Sequence, residues 1–263
     1  MTSELLTSSK NPLLKEVRRA ILKGSRTEDG YCIAETFHLL EEALRSDCAI
    51  RAVITAESVR LTVERRVKGL KDMHVIRVPD PLFEQLSATE TNQGVMALVR
   101  PQAWDLEQLF RGHALVVLLD GVQDPGNAGA IMRAAEAFGA SGVIFLKGSV
   151  SPYNPKAIRA SAGSVFRIPL VHGLEESIAC AALEQKRIET YAAMPSGSRA
   201  VADADLAAKC AFIIGSEGRG VSEKLQAFAV GLRIPTTRVD SLNAAVAAGI
   251  LLYEARRQRQ STA

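Results

Sequence analysis

The sequence feature that most constrains the fold is a run of six consecutive apolar residues at 114–119, followed at once by a turn-rich segment at 120–126. A strand buried on both faces of a parallel sheet is apolar throughout, whereas a strand with one wet face alternates. Residues 127–138 then carry apolar side chains at helical spacing. The pattern continues through apolar runs at 143–146, 189–194, 211–214 and 232–234 and a long helix that begins near Asn243. This alternation predicts a parallel α/β sheet whose ligand site lies in the loops at the strand ends.

Residues 1–100 predict a smaller α/β module that precedes this sheet. Apolar residues at helical spacing indicate helices at 11–23 and 39–44. Short apolar runs indicate strands at 52–55, 75–78 and 95–99. The two patterns separate near Pro101, so we place one domain at residues 1–100 and a second domain at residues 112–263.

Composition excludes several classes of protein. With 47% hydrophobic and 23% charged residues, the 263-residue chain is typical of a water-soluble protein with a large core. No apolar run approaches the ~20 residues of a membrane-spanning helix, so we expect no membrane partner. The histidines are dispersed, and so are the cysteines, which argues against a metal site or a disulfide framework and favours a reducing cytoplasm; the cysteines are Cys32, Cys48, Cys180 and Cys210. The net charge of +3 permits a nucleic-acid partner without requiring one.

Three polar or glycine-bearing segments interrupt the second half, and each has an ordinary structural interpretation. Asn127 could be a helix N-cap, and Arg133, off the apolar face of the same helix, could be a surface arginine. Their spacing places them on different faces, so they would converge only if Asn127 lay in the loop that enters the helix. The glycines of 215–220 could form a tight turn between a strand and a helix. Ser241 or Asp240 could cap the helix that follows.

The glycine segment also has a rival functional interpretation, as a dinucleotide-binding loop. Asp240 follows Gly220 by about twenty residues, as the acidic residue of such loops does. However, Gly215, Gly218 and Gly220 stand in the order GxxGxG, whereas the dinucleotide fingerprint is GxGxxG. The order of the glycines therefore counts against a dinucleotide.

The helix after Asn243 is apolar on all sides over most of its length. A helix of this composition is buried, either in a core or against a second subunit. The sequence therefore predicts that this helix is covered on every face.

Taken together and in order, the three segments resemble the motifs of the SpoU (TrmH-like) branch of the SPOUT methyltransferases. The motifs are Asn127 with Arg133, then Gly215, Glu217, Gly218 and Gly220, then Ile234 and Pro235 with Ser241, Leu242, Asn243 and the apolar helix. Residues 159–169 also match the family. In the front half, residues 8–12, Glu35 and Gln93 with Gly94 resemble the ribosomal-protein-like RNA-binding domain of many members, although Thr36 stands where a glycine is common.

The resemblance implies a fold and an assembly. It implies an α/β, parallel-sheet SPOUT domain with a C-terminal trefoil knot, preceded by a small α/β RNA-binding domain. It implies S-adenosyl-L-methionine bound by backbone around Gly215, Ile234 and Leu242. It also implies a homodimer in which the partner completes each active site. The loop 236–240 is one residue shorter than in relatives and lacks their glycine.

The resemblance further implies methyl transfer to a ribose 2′-hydroxyl of structured RNA, with ribosomal RNA preferred over transfer RNA and no metal required. The catalytic candidates are Arg133, Asn127, Glu217, Ser241 and Asn243. We expect Arg133 to clamp an RNA phosphate and stabilise developing alkoxide charge, because a guanidinium stays protonated. Glu217 is the nearest candidate proton acceptor, and the two asparagines would fix geometry.

Two alternatives from other classes remain at this point. A non-catalytic RNA-binding protein on the same scaffold would bind RNA without turnover. A dinucleotide-dependent oxidoreductase would use the glycine turn and bind NAD.

Overall fold

The structure is a computed structural model that describes residues 2–46, 48–70, 73–89 and 91–261. The chain divides into two compact units, Met1–Gln102 with Tyr153–Phe166 and Ala103–Pro152 with Arg167–Ala263. The second unit is therefore interrupted, because the chain leaves it after Pro152 and returns at Arg167. The functional division at 1–100 and 112–263 stays a prediction.

The first unit is built on a mixed sheet. Its strands are β1 (Thr2–Leu5), β2 (Cys32–Glu35), β3 (Ala49–Ala56), β4 (His74–Val78) and β5 (Val95–Arg100). Its helices are α1 (Pro12–Lys23), α2 (Phe37–Arg45), α3 (Arg60–Arg66), α4 (Asp80–Leu86) and α7 (Pro155–Ala160). The strand order is β1-β4-β3-β5-β2, with β5 antiparallel to β3 and β2. The predicted small α/β module is confirmed, although the sequence patterns missed β1, β2, α3, α4 and α7.

Helix α1 shows how the sequence fixes an element of this unit. The side chain of Asn11 accepts a hydrogen bond from the backbone N–H of Leu13, and Pro12 follows at the first helical position. Gly24, with φ at 59°, ends the helix in the left-handed conformation that favours glycine. Leu14, Val17 and Ala20 face the core. The helix predicted at 11–23 is confirmed.

Thr36 adopts a backbone conformation that favours glycine. Its φ is 141°, a value that L residues rarely adopt. Its hydroxyl oxygen caps α2 by accepting a hydrogen bond from the N–H of Leu39 at 3.1 Å. The cap offsets part of the backbone strain, which is how threonine is tolerated there.

The second unit is built on a fully parallel sheet. Its strands are β6 (Leu115–Asp120), β7 (Gly142–Leu146), β8 (Leu170–Leu174), β9 (Glu189–Ala193), β10 (Arg199–Ala200), β11 (Cys210–Gly215) and β12 (Val230–Arg233). Its helices are α5 (Leu106–Leu109), α6 (Pro125–Ala137), α8 (Glu176–Gln185), α9 (Glu223–Phe228) and α10 (Ala244–Ser261). The strand order is β10-β12-β9-β11-β6-β7-β8, with every pairing parallel. The predicted parallel α/β sheet is confirmed, and the trefoil knot stays a prediction.

The order of the strands creates a crevice at the carboxyl ends of the neighbouring strands β6 and β11. The chain runs from β6 outward through β7 to β8 and then crosses to the other side, where β11 pairs directly with β6. In an open parallel sheet, ligands bind at the carboxyl ends of the strands where the order reverses. The ends of β6 and β11, at Asp120 and Gly215, mark that point.

Helix α10 is covered on one face only. Ala248, Leu251 and Leu252 are buried, and the helix packs against α6 and β11. On the outer face Ile250 is 37% exposed and Tyr253 57% exposed. A single chain therefore covers only one face of this helix, and cover of the outer face by a second subunit stays a prediction.

Candidate functional site

The first motif starts helix α6 at the carboxyl end of β6. The carboxylate of Asp124 caps the helix by accepting a hydrogen bond from the N–H of Asn127 at 2.7 Å, and Pro125 occupies the first helical position. Asn127 is thus not the N-cap, and it lies in the first helical turn rather than in the entering loop. Its side chain is left to face the crevice.

The second motif is a closed loop after β11. Two backbone hydrogen bonds join Ser216 and Gly220, at 3.1 and 2.9 Å. A Cβ at Gly215 would collide with the backbone of Gly220 and Val221, so only glycine fits where the strand enters the loop. Glu217 lies at the exposed tip.

The third motif leads into helix α10. The side-chain oxygen of Asn243 accepts hydrogen bonds from the N–H groups of Ala245 and Val246, at 2.9 and 3.2 Å. Asn243 is therefore the N-cap of α10, rather than Ser241 or Asp240. This cap fixes the amide so that its nitrogen points away from the helix.

The three motifs meet in a directed chain of hydrogen bonds. The amide nitrogen of Asn243 donates to the side-chain oxygen of Asn127 at 3.0 Å. The amide nitrogen of Asn127 donates in turn to the carboxylate of Glu217 at 2.5 Å. Because each amide has its oxygen engaged on one side and its nitrogen on the other, all three side chains are held in one orientation. The structure thus brings together three of the five predicted catalytic residues.

Arg133 does not join this cluster within one chain. It lies on α6 six residues after Asn127, it is exposed, and it makes no hydrogen bond or ion pair with any described residue. An unpaired guanidinium is well suited to bind an anion from outside the chain.

A cavity of about 650 Å³ opens beside the cluster and gathers the predicted cofactor residues. Gly215, Ile234 and Leu242 line it, as do Glu217 and Ser241. Its walls come from the segments that follow the carboxyl ends of β9, β11 and β12 and from the start of α10. A pocket of this size, mainly apolar with a few polar groups, is typical of a small-molecule site.

The structure adds residues that the sequence patterns missed. The carboxylate of Asp120 accepts a hydrogen bond from the N–H of Ser222 at 2.7 Å, which ties the end of the glycine loop to β6. Met194 and Arg233 line the cavity after β9 and β12. Asp124 was recognisable, since an aspartate directly before a proline is a common helix start. Met194 carries no local signal.

In the loop 236–240, the hydroxyl of Thr236 donates to the carbonyl of Val239 at 2.7 Å, and both residues line the cavity. Among the described residues, no group of three or more His, Cys, Asp or Glu side chains lies close enough to hold a metal ion. None of the described helices is long and apolar enough to cross a membrane.

Comparison with known protein families matches both halves of the chain. Residues 114–253 match the SpoU rRNA methylase family. Residues 11–97 match the MRM3-like substrate binding domain. All the motif residues described above lie inside the first match.

The relatives match over nearly their whole length. An uncharacterised tRNA/rRNA methyltransferase of Synechocystis is 30% identical, over 98% of this chain and 96% of its own. The 23S rRNA (guanosine(2553)-2′-O)-methyltransferase RlmP of Bacillus subtilis is 28% identical, over 95% of this chain and 98% of its own. Among solved structures, the SpoU methyltransferase AviRb of Streptomyces viridochromogenes in complex with AdoMet has a TM-score of 0.88 at 29% identity, covering 96% of this chain and 99% of that one.

Proposed function

Because the chain belongs to the SpoU rRNA methylase family, we infer that it is an S-adenosylmethionine-dependent enzyme that methylates a ribose 2′-hydroxyl of RNA. The observation that carries this conclusion is the hydrogen-bonded cluster of Asn243, Asn127 and Glu217, the last of which lines the cavity. A fixed carboxylate beside a ligand pocket suits a reaction in which a hydroxyl must lose a proton.

We propose ribosomal RNA as the substrate. The relatives AviRb and RlmP are similar to this chain over almost its full length, and RlmP is named for 23S rRNA. The MRM3-like domain at residues 11–97 gives the chain a separate module for a large structured substrate. We propose that this module supplies affinity for RNA and that residues 112–263 carry out catalysis.

The residues that line the cavity fit S-adenosylmethionine. Gly215 lines the cavity, and because it has no Cβ, the backbone of Gly220 and Val221 can close tightly against the end of β11 and shape the wall of the cavity. Ile234 and Leu242 supply apolar walls, and Ser241 supplies a hydroxyl. When bound, the cofactor supplies an activated methyl group on its positively charged sulfur. We propose Gly215, Ile234 and Leu242 as its binding residues.

Arg133 is the proposed phosphate clamp. A guanidinium is a permanent cation with five donors, and it can hold a phosphate through two parallel hydrogen bonds. Its charge would also stabilise the oxyanion that develops on the attacking ribose oxygen. Since Arg133 is exposed and unpaired among the described residues, no internal ion pair has to break for it to act.

Glu217 is the proposed acceptor of the hydroxyl proton. One of its carboxylate oxygens, Oε1, accepts from Asn127, and a carboxylate has lone pairs left for a further donor. Asn127 and Asn243 are positioning residues, because their amides fix the direction in which the carboxylate faces. Ser241 lines the same cavity and would hydrogen-bond within it.

We also propose a homodimer in which the partner completes each site. The outer face of α10 exposes Val246, Ile250 and Tyr253, an apolar stripe at helical spacing. Arg133 has no contact with the cluster of its own chain, which is consistent with action across a subunit boundary. We place the protein in the cytoplasm, since none of its four cysteines forms a disulfide in the described structure.

Two experiments test the proposal. Titration calorimetry with S-adenosylmethionine and with NAD should give saturable binding of the first alone, and binding of NAD alone would favour the oxidoreductase. The purified protein should also transfer tritium from methyl-labelled cofactor to ribosomal RNA from cells that lack the gene. Tight RNA binding without transfer would identify a non-catalytic RNA-binding protein.

A further inference from the structure

We propose that the outer face of helix α1 is a docking surface for the phosphate backbone of the RNA substrate. The inference rests on the proposed function and assigns a place to RNA binding that the active site does not explain. It rests on the exposed cations of this helix and on the absence of ion-pair partners for most of them in the described part of the chain.

Helix α1 divides cleanly into a core face and a basic face. Leu14, Val17 and Ala20 are buried in the core of the first unit. The opposite face carries four cations within nine residues, at spacings that place them on adjacent turns; they are Lys15, Arg18, Arg19 and Lys23. All four are exposed.

Of the four cations on the basic face, only Arg19 pairs with a carboxylate of a described residue. Glu16 is the only acidic residue of α1, and it lies to one side, where it accepts a hydrogen bond from the N–H of Glu28 at 3.1 Å. Arg19 pairs with Glu28 at 2.7 Å. Lys15, Arg18 and Lys23 form no hydrogen bond or ion pair through their side chains in the described part of the chain.

The lack of partners distinguishes this face from the rest of the unit. Elsewhere in the unit, the described arginines mostly pair with carboxylates; these are Arg45, Arg51, Arg60, Arg66, Arg77 and Arg159. Arg26 and Arg100 instead lie over tyrosine rings. A folded protein that pairs most of its arginines elsewhere and leaves three exposed cations unpaired on one face of a single helix presents the electrostatic footprint of a polyanion partner.

An exposed leucine lies in the middle of the same face. Leu22 is 77% exposed, the largest value among the described large hydrophobic side chains that are exposed. Leu22 lies one helical turn after Arg18 and directly before Lys23. It could therefore pack on a ribose or a base while the cations bind phosphates. Helix α1 has 12 residues, or about 18 Å of length, enough for several successive phosphate contacts.

The test compares two double variants that lose the same charge. In the first, Lys15→Gln and Arg18→Gln remove two cations from the basic face. In the control, Arg65→Gln and Lys68→Gln remove two exposed cations of the same unit that have no partner among the described residues. Glutamine has nearly the helix propensity of lysine and arginine, and Lys68 lies in an exposed turn after α3, so both variants should fold as the wild type does.

Binding to a short fluorescent RNA hairpin is measured by anisotropy over a range of KCl concentrations. Each lost phosphate contact should lower the slope of log affinity against log salt by about 1, so the α1 variant should lose about 2 and the control nothing. Leu22→Ser should weaken binding without changing the slope, since it removes no charge. Equal losses in both double variants, or unchanged binding in the α1 variant, would overturn the proposal.

Methyl transfer to ribosomal RNA, measured in parallel, separates this inference from the proposed function. If the wild type methylates RNA and the α1 variant binds and reacts as the wild type does, the docking surface fails while the function stands. If the wild type binds RNA through α1 without methyl transfer, the docking surface stands and the proposed function fails.

Discussion

Replacing Gly215 by alanine tests the close approach that shapes the glycine loop. A Cβ at this position would overlap the carbonyl carbon and oxygen of Gly220 and the nitrogen of Val221. These are backbone atoms of the loop that Gly215 itself starts, so no side-chain rotation can make room. Either the loop opens or the end of β11 moves.

Opening the loop and moving the end of β11 should lower the free energy of unfolding by similar amounts. Forcing a methyl group into a well-packed site typically costs about 1–3 kcal/mol. Opening the loop instead loses the two backbone hydrogen bonds between Ser216 and Gly220, at about 0.5–1.5 kcal/mol each. We therefore expect Gly215→Ala to lower the free energy of unfolding by about 1–3 kcal/mol. Since Gly215 lines the cavity, the affinity for S-adenosylmethionine should fall by about tenfold or more, or roughly 1.4 kcal/mol.

Gly218→Ala is the matched control on the same loop. No atom lies within 4 Å of a Cβ at Gly218, and its φ is outside the left-handed region. Its unfolding free energy should stay within about 0.5 kcal/mol of the wild type. Urea unfolding and calorimetry with the cofactor measure both effects. A Gly215→Ala protein that unfolds and binds as the Gly218→Ala protein does would refute the reasoning.

Three further predictions concern substrate, assembly and pH. Arg133→Ala should lower the single-turnover methylation rate by about 10²–10³ with cofactor affinity unchanged, and Arg133→Lys should rescue it partly; wild-type rates would remove Arg133 from the site. Ile250→Asp, on the exposed stripe, should dissociate the dimer in light scattering without unfolding it, whereas Leu251→Asp should unfold the chain by burying a charge; an intact Ile250→Asp dimer would place the interface elsewhere. Burial raises the pKa of the Cys210 thiol to about 11, so the free energy of unfolding should fall by up to about 2–3 kcal/mol as the pH rises from about 9 to 11; a Cys210→Ala variant with the same fall would contradict this assignment.

The sheet of the second unit could be predicted because its strands β6, β7 and β11 are buried along nearly their whole length. The run at 114–119 is apolar at every position, and only a strand covered on both faces of a parallel sheet requires that. Helix α1 could also be predicted, since the N-cap at Asn11 and the C-terminal glycine Gly24 are local signals.

The site itself could be predicted only through the ordered motifs. Asn127 and Glu217 are 90 residues apart in sequence, and no periodicity indicates that they touch. Local rules also predicted the wrong N-caps for α6 and α10. The residues that cap these helices, Asp124 and Asn243, have neighbours of similar chemistry that could cap equally well. Because α10 is apolar on both sides, its sequence does not indicate which side stays exposed in a single chain.

The division of the chain shows a further limit of sequence patterns. Residues 153–166 lie between β7 and β8 along the chain, yet they pack with the first unit. Arg159 is 3.6 Å from the carboxylate of Glu35, which is buried in that unit. A contact between residues so far apart in sequence leaves no local pattern.

The central claim is that this chain methylates ribose 2′-hydroxyls of RNA, and one measurement tests it most directly. A 2′-O-methyl group blocks alkaline cleavage at its nucleotide, so sequencing of alkali-fragmented total RNA maps every such position. RNA from cells that carry the gene is compared with RNA from cells that lack it and from cells that carry only Glu217→Gln. We predict at least one protected nucleotide in ribosomal RNA that is lost in the second and weakened or lost in the third. Identical protection maps in all three would contradict the account.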